Sequence, residues 1–448
     1  MANQPVNQYK RDSIKLYPNG NYSPQGLFGD NQANFIDIKQ LVTDFTITES
    51  LHQTSLMCTM NVMDGLNILA KLQLEGDEFI EMQLSKETPE GKIRYKKTWV
   101  ISDILHYARP KPGVQTYQLI LVSEHAYLNQ LMELNRKFEG NIGKLIHNIL
   151  WKDLEQYHNI GDISHSNHTM KGIYPSLRPI NAIKWLSRNA FDNGNPFYFY
   201  ETLKAKSNNT TDRIHFTSLS ELADAEIKAE YEQKPYYNDI NPISDADTIE
   251  QRKKILKVST PIESNVFAQA KKGAYGSTLS SIDIATKTLV IDKEFKYDDQ
   301  FVLTDNKNRS FKNAKKFLDK ALPEFVGAQS HYASLNSLAF DKFKNYHDAL
   351  PENIQNASSK RVCMDASQIN INVCGDPRIH SGAKIRIKIP KSVDPELDND
   401  TRSSDKNKSG VYIVYDIEHK FSYDQEYHMN LLCKKDTSQI DYDQEIDL

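Results

Sequence analysis

Apolar residues recur at every second position over much of the first 125 residues. Ile36 and Ile38 alternate with polar neighbours, as do Phe45, Ile47 and Leu51, and Cys58, Met60 and Val62 alternate with Met57, Thr59 and Asn61. Period two between clusters of turn residues predicts antiparallel strands. Val62–Leu72 (VMDGLNILAKL) reads as a turn and a short helical piece, and three further strands follow in Gly76–Leu84, Thr98–Arg109 and Thr116–Ser123. Five to seven strands in about 110 residues fit a small barrel or curled sandwich.

The period then changes. In Glu139–Tyr157, apolar residues fall at Ile142, Leu145, Ile146, Ile149, Leu150 and Leu154, the stripe of a helix. Pro179 is a good first helical residue, and a second helix is predicted from there through Phe191, stopping near Gly194, with Ile183, Leu186 and Ala190 on one face. Pro196–Leu203 and Arg213–Leu219 read as a hairpin around the polar loop Lys204–Asp212, and Ser220–Ile227 as the start of another helix. The segment 226–272 is polar, with Tyr231, Tyr236, Tyr237 and the basic run Gln251–Val258. Strands resume in Ser277–Asp292, and helix-prone text fills about 300–360, including Phe311–Leu322 and Phe340–Leu350.

One pattern occurs twice. Trp99–His106 (WVISDILH) lies over Tyr412–His419 (YIVYDIEH), with Asp, Ile and His at the same three places. Each copy carries a glycine (Gly76, Gly382), a strand, a loop, a strand with the histidine at its end, a turn and a third strand, the last being Thr116–Ser123 or Glu426–Lys434. Two copies of one β-module, with everything else joining or decorating them, account for this spacing. The loop within the second copy, Ser392–Ser409, is long and charged.

The predicted fold class is therefore α+β, mainly β: two similar antiparallel β-barrels with an α/β domain and a helical segment inserted between them. The expected boundaries are 1–124 for the first barrel with an N-terminal arm, 125–254 for the α/β domain, 255–299 with 361–436 for a discontinuous second barrel, 300–360 for the helical insertion, and 437–448 for an acidic tail.

Composition narrows the function. With 39% hydrophobic and 25% charged residues the chain can bury a core in each part. A net charge of -4, from 55 basic and 59 acidic residues, gives no reason to expect stable nucleic-acid binding. Apolar runs reach about five residues against the ~20 needed to span a bilayer, and Met1–Ser13 lacks the apolar core of a signal peptide. A soluble chain made in a cytoplasm, with no stable membrane insertion, is expected. Cys58, Cys363, Cys374 and Cys433 show no C-x-x-C spacing and read as core thiols.

The candidates for chemistry are weak. Asp103/His106 and Asp416/His419 have the supporting half of a catalytic triad, but positions i and i+3 on a strand point to opposite faces. The histidines are expected to end their strands or to bond to backbone at the turn. Gly375–Lys384 (GDPRIHSGAK) departs from a phosphate loop in spacing and reads as an Asp376-Pro377 turn feeding a strand. His158, His165 and His168 could converge on a metal only from a loop, without an H-E-x-x-H or Cys partner. Asp298/Asp299, Arg252–Lys254 and Lys315–Lys316 read as solvated charge. No catalytic, cofactor or metal residue is assigned, and a non-enzymatic protein is expected.

The order of segments resembles the central baseplate hub protein of contractile-tailed bacteriophages, whose fold also forms the first part of type VI secretion spike proteins. The resemblance is carried by Ile47–Asp64, the Gly76–Ile80 strand start, Pro179–Phe191 followed by Phe197–Thr202 and Ile214–Leu219, Lys272–Asp283, and Gly375–Pro390 with Tyr412–Phe421. It implies two tail-tube-like barrels per chain and a homotrimer. Three such chains present six similar units, which suits an adaptor between a hexameric tail tube and a trimeric spike. The chain ends about twelve residues after its second barrel, so the resemblance further implies a separate spike protein. Peptidoglycan cleavage would belong to another subunit, since no lysozyme-like segment is visible. Tail tube and baseplate wedge proteins are the other implied partners. Phage DNA would pass transiently through the channel, and the location would be the virion tail baseplate, after assembly in the host cytoplasm. A hub of a phage-derived injection or secretion system is the alternative. A hydrolase using the 156–168 loop or an Asp-x-x-His pair is the alternative of another class, testable by metal analysis and by His106→Ala and His419→Ala.

Overall fold

The computed structural model describes residues 7–18, 35–88, 91–203, 205–206, 209–210, 213–233, 252–262, 266–284, 286–297, 316–317, 320–335, 346–391, 404–405 and 408–436. The acidic tail, Asp298/Asp299, Lys315, Tyr236, Tyr237 and most of the 392–409 loop lie outside these residues.

The first module begins earlier than the sequence pattern suggests. Lys10–Tyr17 (β1), expected within an arm, is a strand that buries Ile14 and Leu16. It is followed by Val42–Ser50 (β2), Met57–Asp64 (β3), Phe79–Thr88 (β4), Gly91–Lys111 (β5) and Val114–Val122 (β6). These strands pair in the order β2-β3-β6-β5-β4-β1, every pair antiparallel. Inward positions alternate along β3 (Cys58, Met60, Val62) and β6 (Tyr117, Leu119, Leu121), as the two-residue period of a strand requires. Side chains from all six strands enter one core cluster, which also takes in strands of the second module. The short helix expected after β3 is Ile68–Leu72, whose Ile68 N–H donates to Asp64 Oδ2 at 2.7 Å.

The inserted α/β unit follows the helical text closely. Ile142–Lys152 (α1) buries Ile142, Leu145, Ile146, Ile149 and Leu150. Pro179–Arg188 (α2) starts at its proline. Asn195–Thr202 (β7) and Arg213–Ser218 (β8) form the predicted hairpin, with Ile160–Ile163 parallel to β8. Ser218 caps the next helix reciprocally with Glu221, so that helix covers Leu219–Asp224. Phe197 and Phe199 of β7 enter the core of the inserted unit, while Tyr198 and Tyr200 pack with Ile413 and Tyr415.

Ile227–Glu232 (β9), expected inside the inserted domain, instead pairs in parallel with Lys384–Lys388 in the main sheet. Ile255–Ile262 (β10) comes next, then Gly276–Asp283 (β11) and Thr288–Lys296 (β12). These last two, expected in the second barrel, form a separate three-stranded sheet with Ser330–Leu335 (β13), so the expected helical insertion contributes a strand. Tyr346–Cys363 (α3) is helical past the expected boundary at 360. Ser367–Cys374 (β14), Lys384–Lys388 (β15), Gly410–Phe421 (β16) and Tyr427–Lys435 (β17) complete the chain. The second module pairs in the order β10-β14-β17-β16-β15-β9.

The two orders match strand for strand, with the final pair antiparallel in one module and parallel in the other. The duplication also holds at single residues. The β5/β6 register shifts between Ile101 and Asp103, and the β16/β17 register between Val414 and Asp416. A second shift falls between Val42 and Asp44 in one module and between Ile255 and Lys257 in the other. Bulges at matching positions bend matching strands. Gly76 (φ 112°) and Gly382 (φ 82°) precede β4 and β15 in the left-handed region that favours glycine.

Lys435 is the most deeply buried lysine of the second module among the described residues. Lys435 Nζ donates to the Ser409 carbonyl at 2.9 Å and sits 4.7 Å from the Tyr412 ring centroid. Burial pulls its pKa down to about 7, against the raising influence of Asp405 and Asp436. The unfolded chain therefore holds a proton that the folded chain has lost between pH 7 and the ordinary lysine value, so folding stability rises with pH across that window. Lys435→Met is expected to flatten that slope and to be neutral or stabilising at and below pH 7. Urea denaturation midpoints at pH 6, 8 and 9.5 check it.

Candidate functional site: the seam between the modules

The modules join edge to edge. The second half of β16, Asp416–Phe421, pairs antiparallel with Phe45–Ser50 of β2. Phe45 stacks on Phe421 with ring centroids 4.6 Å apart, Phe421 stacks on Tyr427 at 4.4 Å, and Tyr9 meets Phe421 edge-on at 4.9 Å. Offset and edge-on aromatic contacts of this kind add about 0.5–1.5 kcal/mol each beyond burial.

A polar knot sits beside these rings. Glu49 is buried, and its Oε1 accepts from the Leu203 N–H at 2.8 Å while its Oε2 accepts from the Ser381 N–H at 3.0 Å. His419 Nε2 lies 3.0 Å from Oε1 and its Nδ1 lies 2.8 Å from the Tyr427 hydroxyl. Burial alone would push the Glu49 carboxyl up. The hydrogen bond and charge of His419, with the two backbone N–H groups, outweigh it and hold the carboxyl below the usual range. Glu49 is thus a carboxylate at neutral pH, with Nε2–H as a donor to it. The knot ties five segments together: β2, β16, β17, the chain at Leu203 just after β7, and the loop before β15.

A second buried carboxylate fastens the inserted unit to the first module. Glu201 of β7 accepts from Lys97 Nζ at 2.8 Å, from the Leu56 N–H at 2.7 Å and from Ser123 Oγ at 2.6 Å. Lys97 Nζ also lies 4.8 Å from the Trp99 ring centroid. Both centres join elements distant in sequence and have every charge met, which suits rigid coupling of parts rather than acid–base work.

The sequence candidates fall into place around this seam. Asp416 accepts from Ser50 Oγ and His419 belongs to the Glu49 knot, so the second Asp-x-x-His pair is two separate contacts. Neither histidine ends its strand: β5 runs to Lys111 and β16 to Phe421. His106 is an exposed bulge residue with φ 53°, while His419 is buried, so the aligned histidines occupy different environments. In the Gly375–Lys384 loop, Asp376 Oδ1 accepts from the Arg378 N–H at 3.0 Å and the Asp376 carbonyl from the Ile379 N–H at 3.2 Å, a self-contained turn. That loop also supplies the Ser381 N–H to Glu49.

His168 stacks on Phe191 and His165 lies beside Asn141, and no cluster of three or more metal-ligating side chains occurs among the described residues. Lys254 bridges to Glu232 of β9 in the backbone, and of Arg252–Lys254 only Lys253 is exposed. All four cysteines are buried free thiols. Glu49 was missed by motif reasoning. Its signal is a charge on the apolar phase of Phe45, Ile47 and Leu51, where only a partnered carboxylate can sit.

No family model matches the chain, and no curated protein matches its sequence. Solved structures do. The chain is similar to the 43 kDa tail protein of prophage MuSo2 from Shewanella oneidensis at TM-score 0.50 and 9% identity, over 95% of this chain and 98% of that one. The fold is that of phage tail proteins, the fold of the baseplate hub resemblance. A tail protein from Neisseria meningitidis MC58 is similar at TM-score 0.48 and 9% identity, over 96% of this chain and 97% of that one. An E. coli component of the type VI secretion system is similar at TM-score 0.42 and 9% identity, over 90% of this chain and 75% of that one.

Proposed function

We propose that this chain is a structural, non-enzymatic component of a contractile tail: the baseplate hub, working as a trimer. Three copies form a ring in which six β-modules alternate, two from each chain. The ring adapts a hexameric tail tube to a separate three-fold spike, contacts baseplate wedge proteins at its periphery, and leaves an axial channel for DNA. The observation that carries this reading is the duplication itself: two modules with the same strand order and the same bulges, joined edge to edge within one chain. A subunit with two near-equivalent units can offer a six-fold-like surface on one side and three-fold contacts on the other, and head-to-tail contacts close when the rotation per subunit is fixed. The channel wall should be polar or acidic, because basic side chains would retain phosphates.

A particle of three times the 51.4 kDa chain mass is expected by multi-angle light scattering, alone or with the spike protein added. A monomer under both conditions would refute the reading. The same ring would serve a phage-derived injection system, and a spike gene carrying an effector domain beside this one would favour that setting over a virion.

A further inference from the structure

The internal seam consumes two strand edges, and each has a counterpart that is left over. On its outer edge β16 pairs with β15 through Gly410–Ile413 and then with β2 through Asp416–Phe421. The matching strand β5 pairs with β4 through Gly91–Val100. Beyond Val100, no strand among the described residues takes that edge. Leu105 is 43% and Tyr107 48% exposed there, and Ile104 is half-buried where its counterpart Ile417 is 1% exposed. Likewise β10 pairs with β14 on one side, and its other edge has no strand partner among the described residues. Val258 is half-buried where its counterpart Phe45 is 1% exposed.

We infer that these two edges are for each other, in different copies of the chain. The β10 edge of one copy adds antiparallel to Asp103–Arg109 of β5 in the next, reproducing between subunits the seam that β2 and β16 make within one. The inference rests on the ring reading above and says which surfaces close the ring.

The register carries it further than exposure does. In the internal seam Glu418 faces Thr48, Lys420 faces Thr46 and Phe421 faces Phe45. The ladders make Leu105 and Ala108 the counterparts of Glu418 and Lys420, and Ser259 and Ile262 the counterparts of Thr46 and Thr48. The intermolecular seam then places Leu105 opposite Ile262, an apolar pair, and Ala108 opposite Ser259. Between these pairs both strands carry an inserted residue. The β5 ladder shifts between Leu105 and Ala108, and the β10 ladder between Ser259 and Ile262. The insertions lie at one level on the two edges, so the strands fall back into step past them. Pro261, which has no N–H to donate, lies inside that irregularity and not in the ladder. An edge built this way rejects ordinary strands, which lack the matching insertion.

Cysteine pairing tests it. Ala108→Cys and Ser259→Cys are prepared separately, mixed and mildly oxidised; the four native thiols are buried. Facing residues of an antiparallel pair have Cβ atoms about 4.5–5.5 Å apart, near disulfide reach. The mixture is expected to give a covalent dimer on a denaturing gel, each variant alone none, and the doubly substituted chain a ladder ending at three subunits. Ala108→Cys mixed with Lys296→Cys, an exposed residue of β12, should give none, and a thermal melt verifies that each variant is folded. A trimeric mass without cross-linking overturns this seam and leaves the ring reading standing. A monomeric mass without cross-linking overturns both. Cross-linked ladders running past three subunits would uphold the seam and overturn the trimer.

Discussion

Glu49→Ala is expected to lower folding stability by about 3–5 kcal/mol, the range for removing one partner from a buried ion pair. The Leu203 and Ser381 N–H groups and His419 would all lose their acceptor in a region without access to water. Each orphaned buried donor alone costs about 1–3 kcal/mol. Glu49→Gln keeps one acceptor oxygen but turns an NH2 toward a donor, so a smaller loss is expected. The pH dependence has a definite sign. A carboxyl held below its ordinary value in the folded state contributes stability that is present above the unfolded value and lost as pH falls through the folded one. The gap between wild type and Glu49→Gln should therefore be widest at neutral pH and close in acid. Urea midpoints across that range measure it, and a gap independent of pH would show that the charge on Glu49 is irrelevant.

Gly375→Ala should be comparably damaging for a steric reason. A Cβ at this position would lie 2.1 and 2.2 Å from Cδ1 and Cγ of Tyr427. That ring cannot withdraw: it is buried, stacked on Phe421 at 4.4 Å and held through its hydroxyl by His419. The backbone cannot withdraw either, because the Gly375 N–H donates to the Tyr427 carbonyl at 2.8 Å. Overpacking a filled core costs about 1–3 kcal/mol and occasionally more, and the upper end is expected here. Gly65→Ala, where an added Cβ meets nothing within 4 Å, is the matched control and should be near neutral. Thermal denaturation of the two variants separates crowding from a general dislike of alanine.

Much of the fold was legible because period two and period 3.6 are written plainly in this chain. The α1 stripe, the Pro179 helix start and the β7/β8 hairpin stand where their patterns put them. The duplicated module was legible because its central strand keeps Asp and Ile at matching places directly after a shared bulge. What alternation cannot tell is which sheet a strand joins. Gly276–Asp283 alternates well and belongs to a separate three-stranded sheet. Ile227–Glu232, half charged and expected inside the inserted domain, is held in the main sheet by backbone pairing with β15. The histidine match misled in detail, because an inserted residue after Leu105 turns His106 out to solvent while His419 stays inside. The Glu49 knot was out of reach of motif reasoning because its contributors are far apart in sequence, His419 lying 370 residues from Glu49, and only folding brings them together.

The central claim is that one chain supplies two interchangeable units of a closed ring. End-on class averages of the assembled protein by electron cryomicroscopy test it most directly. Six lobes of nearly equal density around an open axis, repeating exactly only every second lobe, are predicted. Three lobes, an open arc or isolated two-lobed particles would contradict it.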